Sequence, residues 1–272
     1  MAVVRRNACR TLAAIAIAIP MACAIAAPAF AQSSGEAPAT AAAPQRDPAA
    51  LAALDAMGNA LRGLQAFKLT TQTTRDIVLD DGQKVQLLGE VEYRVQRPDK
   101  LFVDIRSDRK QRQLIFDGKQ VTLYAPRLAV YAQAATEADS IGGLVENANT
   151  KYGIEFPLGD LFRYGTGKTS KDDIQAAMHV GGGTLDGEAI EQYAYRQDGI
   201  DWQLWLSKAT NLPKRLEITS LDDETRPAYA AQLHWDTKSP VDAASFAFRP
   251  PAGVNKIEIV PAVVVVADDG EQ

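Results

Sequence analysis

Between Val85 and Val95 the odd positions read Val85, Leu87, Gly89, Val91, Tyr93 and Val95, while the even positions, Leu88 apart, are polar. A period of two predicts a strand with one apolar face and one wet face. Arg97 falls on the apolar parity, at the very end of that face and immediately before Pro98. A guanidinium among apolar side chains is costly unless it finds partners. This residue is therefore expected at the rim of an apolar hollow, with the sheet curving around it.

Upstream, Leu51, Leu54, Met57, Leu61 and Leu64 recur at three- and four-residue spacing, which predicts one amphipathic helix ending near 63–67. Asp47-Pro48 supplies an N-cap followed by proline at the first helical position. Short strands follow. Lys68 to Leu79 pairs with Lys84 to Gln96 through Asp80-Asp81-Gly82, then come Leu101 to Ile105, Arg112 to Phe116, Val121 to Tyr124 and Leu128 to Ala132. A weaker helical pattern at Ile141, Leu144, Val145 and Ala148 precedes an irregular or short helical stretch from Tyr152 to Phe162. The strands then resume at Met178 to Val180, Ala189 to Arg196, Asp201 to Leu206, Lys214 to Ser220, Tyr229 to Trp235 and Ser245 to Phe248, with Gly181-Gly182-Gly183 read as a flexible turn. Short connections imply an antiparallel meander.

Composition adds the compartment. Arg5, Arg6 and Arg10 precede an apolar run from Leu12 to Ala27 that ends at Ala29-Phe30-Ala31, the arrangement of a secretory signal peptide. The expected plan is a signal peptide over 1–31, a disordered Ala/Pro-rich linker over 32–46, one domain over 47–260 and a tail over 261–272, whose apolar start Val263 to Val266 reads equally as an edge strand or an exposed segment. Cys9 and Cys23, the two cysteines of the 272 residues, both lie in the leader, so a mature chain from Gln32 has neither disulfide nor thiol nucleophile. Pro20-Met21-Ala22 before Cys23 is a poor match to a lipidation site, so cleavage rather than lipid anchoring is expected. Losing three arginines leaves 26 basic against 34 acidic residues, a net charge of −8 that argues against nucleic acid as a partner.

Motifs for chemistry are sparse. His179 and His234 sit in expected strands, where a lone histidine is usually structural. Gly167-Lys168-Thr169 lacks the first glycine of a phosphate-binding loop, since position 162 is Phe162. Asp172-Asp173 and Asp222-Asp223-Glu224 flank turns and read as solvated loops. No nucleophile elbow or zinc-binding helix motif occurs, so no catalytic residue, metal or cofactor is expected. What stands out is the apolar sheet face with few helices to cover it. A sheet must bury that face, and incomplete cover leaves space for an acyl chain.

The stretch from Gly89 through Pro98, Lys100 to Ile105, and Phe116-Asp117-Gly118-Lys119 through Tyr124-Ala125-Pro126 resembles the LolA family of periplasmic lipoprotein carriers. That family has a Lys-Arg-Pro strand end, a Ser-Asp-Gly-Lys turn and a Tyr-(Asn/Asp)-Pro turn in this order, and Val241 to Val254 is similar to its C-terminal segment. Asp201-Trp202-Gln203-Leu204-Trp205 and Pro157-Leu158-Gly159-Asp160-Leu161 resemble more closely a family of predicted periplasmic proteins in the same superfamily. The resemblance implies an α+β fold: an unclosed antiparallel β-barrel wrapped around a few helices, with a hydrophobic cavity between them. It also implies that Arg97 acts as a lid latch, bonding to backbone carbonyls of the covering helices. Val91, Tyr93, Val95, Leu101, Val103, Ile105, Leu114, Phe116, Leu51, Leu54 and Leu61 are the candidates for the cavity wall, with ordinary core beneath helices as the equal alternative.

Gln96 in place of the lysine, Phe116 in place of the serine and Arg127 after Pro126 depart from the carrier pattern and leave the cargo open. The function expected is a monomeric periplasmic carrier of an acyl chain, lipid or lipoprotein, exchanging with a membrane-bound donor or acceptor protein. The alternative is a protein-interaction or sensor module on the same scaffold, without lipid. A hydrolase finds no thiol and no triad in its support.

Overall fold

A computed structural model of the chain describes residues 45–152, 158–164 and 171–259. The leader, most of the linker and the C-terminal tail lie outside the described residues. Helix α1 (Pro48–Gly63) begins as its sequence dictates: Asp47 Oδ1 accepts from the Ala49 N–H at 2.8 Å, and Pro48 opens the first turn. Its buried face carries Ala50, Leu54, Met57 and Leu61.

The strands form a single sheet of twelve. A first meander comprises β1 (Ala66–Val78), β2 (Lys84–Gln96), β3 (Lys100–Ser107), β4 (Gln111–Phe116), β5 (Gln120–Ala125) and β6 (Val130–Ala135). Helices α2 (Ile141–Tyr152) and α3 (Gly159–Tyr164) then carry the chain towards the other end of the sheet. A second meander follows: β7 (Ala176–Leu185), β8 (Glu188–Gln197), β9 (Ile200–Ser207), β10 (Pro213–Ser220) and β11 (Ala228–Asp236). Pairing of β1 with β11 joins the two meanders, and a short last strand, β12 (Asn255–Ile257), lies parallel to β6. All other pairs are antiparallel. The sheet runs from β12 to β7, and among the described residues those two ends do not pair, so the barrel is unclosed.

The register places one residue of every second pair on the helix-covered face. In β2 these are Val91, Tyr93 and Val95, opposite Thr71, Leu69 and Phe67 of β1 and Ile105, Val103 and Leu101 of β3. One continuous buried cluster unites the apolar members of this set with Leu204 and Leu206 of β9, Ala177 of β7, Phe116 of β4, α1, and Ile141 and Leu144 of α2. Eight strand-to-strand steps separate β7 from β4, about 38 Å if the sheet were flat, whereas the sixteen residues of α1 span only about 24 Å. The sheet therefore curls, and its concave face meets the helices.

Three local expectations are corrected. Gly181-Gly182-Gly183 is not a turn but part of β7, opposite Gln192, Glu191 and Ile190, with a bulge between His179 and Gly181. Pairing to β8 supplies the order that glycine lacks on its own. Ser245 to Phe248 is not a strand: a 3-10 turn at Ala243–Phe246 is capped by Asp242, whose side chain accepts from the Ala244 N–H. Pro126–Leu128 likewise forms a 3-10 turn, so that the following strand begins only at Val130.

The segment after β11 straps the convex face. Phe246 is buried, Phe248 packs on Tyr124 and Tyr131, and Ser245 Oγ meets Arg94 at 3.1 Å. Beside it Asp104 accepts from Arg106, Gln111 and Gln113, and Arg106 also reaches Glu90 and Glu92. The even positions of β2 and β3 thus form a charged lattice, as their polar parity predicts.

Leu54 is 2 % exposed at the centre of the buried face of α1, whereas Leu51 is only half-buried. Leu54→Ala is expected to lower the unfolding free energy by about 2–5 kcal/mol, and Leu51→Ala by clearly less, in urea titrations.

Candidate functional site

The concave face ends at a corner where β2, α1 and α2 meet. The Arg97 N–H donates to Gln65 O at 2.8 Å, and Pro98 O accepts from the Ile141 N–H at 2.9 Å, where α2 starts. The Arg97–Pro98 peptide is cis. The Arg97 side chain is half-buried and turns back towards α1, where Nη2 lies 3.5 Å from Leu61 O, a long donation. Leu61 O belongs to the last turn of the helix, where it also accepts from the capping Leu64 N–H at 3.4 Å and where the helix dipole favours a cation. Nε is buried and has no partner among the described residues, and burial lowers the guanidinium below its ordinary value.

Arg97 thus lies at the end of the apolar face, with its side chain against the end of α1. Of the other candidates, Val91, Tyr93, Val95, Leu101, Val103, Leu114, Phe116, Leu54 and Leu61 are buried, and Ile105 and Leu51 are half-buried against the same cluster. All eleven meet in one cluster, three of them on α1 and eight on the strands that α1 covers. Burial drives the Tyr93 hydroxyl well above the usual phenol range, with the Tyr229 hydroxyl a lesser contributor.

Among the described residues, neither of two surface cavities is lined by Arg97 or by those eleven residues. One, of about 300 Å³, lies around Gly89, Leu88, Arg215 and Ala230. The other, of about 800 Å³, lies beside the first turn of α1, against Asp47, Ala177, His179, Tyr195 and Trp202. Residue type alone does not mark its aromatic wall as a site. The strand alternation Ile200, Trp202, Leu204, Leu206 was the signal that puts Trp202 on the concave face. The Trp202 and Tyr195 rings stack at 4.1 Å, and Tyr195 Oη donates to Ala50 O at 2.9 Å, tying β8 to the start of α1.

The two histidines make only surface contacts. His179 Nε2 lies 2.6 Å from Glu191 Oε2, whose other oxygen accepts from Lys208 Nζ at 2.6 Å, and the His179 backbone N–H donates to the Asp47 carboxylate. His234 lies 3.9 Å from Asp186. Among the described residues no group of three or more His, Cys, Asp or Glu side chains is arranged to hold a metal ion.

Residues 50–260 match the model of a family described as predicted periplasmic protein (DUF2092). Among curated proteins nothing matches. Solved structures similar to the chain include the lipoprotein LppX of Mycobacterium tuberculosis, at 12% identity over 72% of this chain and 100% of that one, with a TM-score of 0.37. LprF from Mycobacterium bovis is similar at 14% identity over 74% and 98%, TM-score 0.41. A LolA superfamily protein from Nitrosomonas europaea is similar at 9% identity over 73% and 97%, TM-score 0.31. The strand pairing described above, rather than these likenesses, defines the fold.

Arg97 has an unpaired, desolvated Nε and one long bond. Arg97→Leu is therefore expected to change the unfolding free energy by less than about 1 kcal/mol in urea titrations, because lost solvation is recovered along with the lost contact. At the edge of the sheet, Lys208 and then His179 hold the Glu191 carboxyl below the usual glutamate range. A depressed folded value means that its stabilising contribution is present above the unfolded-state value and is lost as pH falls through its own lower one. An NMR titration is expected to find the Glu191 midpoint below that of an exposed glutamate, and to find Lys208→Ala moving it back up.

The match over residues 50–260 is the conclusion that the strand order and the concave face prepare: the chain belongs to the DUF2092 family of predicted periplasmic proteins.

Proposed function

We propose that the protein is a periplasmic binder that carries an acyl chain, as a lipid or as the lipid part of a lipoprotein, between its concave sheet and the covering helices. The observation that carries this reading is Arg97: a half-buried guanidinium with an unpartnered Nε, held to the end of α1 by one long bond. A residue built only for stability would be better satisfied there. Few polar ties hold α1 to the sheet, chiefly the Asp47 N–H to Ala177 O, Tyr195 to Ala50 O, and Arg97 to Leu61 O. Beneath it lies an apolar layer from which an acyl chain gains roughly 0.8 kcal/mol per buried methylene. Moving the helix outward exchanges helix–sheet contacts for ligand–sheet contacts of the same kind, with Arg97 as the latch and the eleven named side chains as the wall. The role is binding, with no catalytic step.

A second reading, recognition of an extended protein segment, is favoured by the outer edge of β7. Met178 and Val180 are 55% and 47% exposed there, and the partner for that edge among the described residues is a single bridge from Arg46 to Ala177. An exposed edge strand is a template for strand addition.

The discriminating experiment is uptake of a fluorescent fatty acid by the purified protein, paired with native mass spectrometry. The expected outcome is saturable uptake, a co-purifying apolar ligand, and release about five- to tenfold faster from Arg97→Leu, the latch contact being the smaller part of the helix docking energy. Ligand-free protein that takes up no dye would overturn the carrier reading. Recovery of one periplasmic protein in a pull-down, abolished by Val180→Lys, would then support strand addition.

A further inference from the structure

Two further polar atoms are buried without partners, and both lie on the concave face. Among the described residues Trp202, 7% exposed, has no acceptor for its Nε1–H, and the half-buried Tyr229 has no partner for its Oη. Buried donors in folded proteins are nearly always satisfied, so each orphan calls for an explanation. The strand register puts them together. Trp202 pairs with Ile218 across β9 and β10, and Ile218 pairs with Tyr229 across β10 and β11. The two donors thus stand two strand steps apart, about 10 Å between backbones, on either side of an aliphatic side chain. On the far side of Trp202 the row continues to Tyr195, whose hydroxyl is already engaged by Ala50 O. The cavity of about 800 Å³ reaches the same tryptophan.

We infer that Trp202 and Tyr229 form a polar subsite for the neutral ester carbonyls of a glyceride-type lipid, set in the apolar wall at the end of the sheet remote from Arg97. This deepens, and rests on, the acyl-carrier reading above.

An indole N–H can only donate, so its ligand must bring an acceptor. The acceptor class follows from the surroundings. The flanking positions of the row are Tyr195, Ile218 and, beyond Tyr229, Arg75, which shares their face of the sheet but is exposed rather than buried. A carboxylate or phosphate seated between Trp202 and Tyr229 would lose its hydration with no cation buried beside it. Burial pushes the Tyr229 hydroxyl up to about 12, which marks the same intolerance of negative charge. An uncharged carbonyl meets neither penalty. Two esters on adjacent glycerol carbons offer two acceptors, with both chains left to lie on the apolar rows leading towards Leu204, Leu216 and Ala231.

The test compares 1,2-dioctanoylglycerol with its dioctyl ether, which keeps the chains and loses both carbonyls. Each is competed against a fluorescent fatty acid on the purified full chain. The wild type is expected to bind the ester about tenfold more tightly than the ether, as two neutral hydrogen bonds allow. The double variant Trp202→Phe, Tyr229→Phe is expected to reduce that ratio below about twofold while its affinity for the ether stays unchanged, which also reports that it folds. The indole proton of Trp202, one of three tryptophans, is expected to shift in NMR on adding the ester to wild type and to stay put with the ether. Equal affinity for the two probes in wild type, a preference that survives the double substitution, or an unmoved indole resonance would each overturn the subsite and leave the carrier reading standing. Failure of the wild type to bind either probe or the fatty acid would overturn both.

Discussion

A curled sheet that stops short of closing must satisfy its concave face by some means other than its own opposite wall. Here α1 supplies most of that cover, running beneath the sheet from Asp47 at β7 to Leu61 at the end of β2. The helix and the curvature depend on one another. Without α1 the rows through Leu69, Tyr93 and Val103 would face water, and without the curl a helix of sixteen residues could not serve both meanders. Much of the remaining architecture holds this arrangement in place. The pairing of β1 with β11 makes two meanders into one surface, α2 starts from the corner at Pro98, and the strap through Phe246 clamps the convex side.

The two ends of the sheet are treated differently. The β6 end is covered by β12 in parallel, delivered by the strap. Among the described residues the β7 edge meets the bridge at Arg46, with its flanking bonds to Gln45 and Asp47, and carries three glycines and a bulge. Bulges and missing side chains distort an edge and make it a poorer template for pairing. Met178 and Val180 work in the opposite direction, since they leave apolar area on the same strand.

Most of this was legible in the chain wherever burial imposes a period. Strand parity around Val91, Tyr93 and Val95 put Arg97 on the apolar face because each pleat alternates sides, and three- and four-residue spacing placed the buried stripe of α1 for the analogous reason. What escaped was set by long-range pairing. Gly181 to Gly183 carry no side chain from which a period could be read, and only β8 makes them a strand. Ser245 to Phe248 alternate like a strand but follow an Asp242 cap that folds the preceding turn locally. The pairing of Trp202 with Tyr229 through Ile218 was equally hidden. Each sits visibly on an apolar parity, but 27 positions separate them, and nothing local says that β9, β10 and β11 align those three residues.

Unsatisfied polar atoms give the concave face its asymmetry. At one end Arg97 reaches the carbonyl of Leu61 from a half-buried site, and at the other Trp202 and Tyr229 have donors to spare. Between them Thr71, fully buried, returns its hydroxyl to Val91 O and so adds no demand. A core selected for rigidity alone would have phenylalanine and leucine at those outer positions, because each orphan donor forfeits solvation without return. Retaining polar groups at the two ends, and satisfied or apolar ones along the middle, is the distribution suited to an amphiphile: polar contacts at fixed points and an indifferent slide between them. The charge at the end of β2 bonds to the helix, whereas the neutral donors stand within the sheet, which separates two tasks. In the proposed carrier, opening the cover would disturb the bond at Arg97, while the orientation of a bound lipid would depend on strands that need not move.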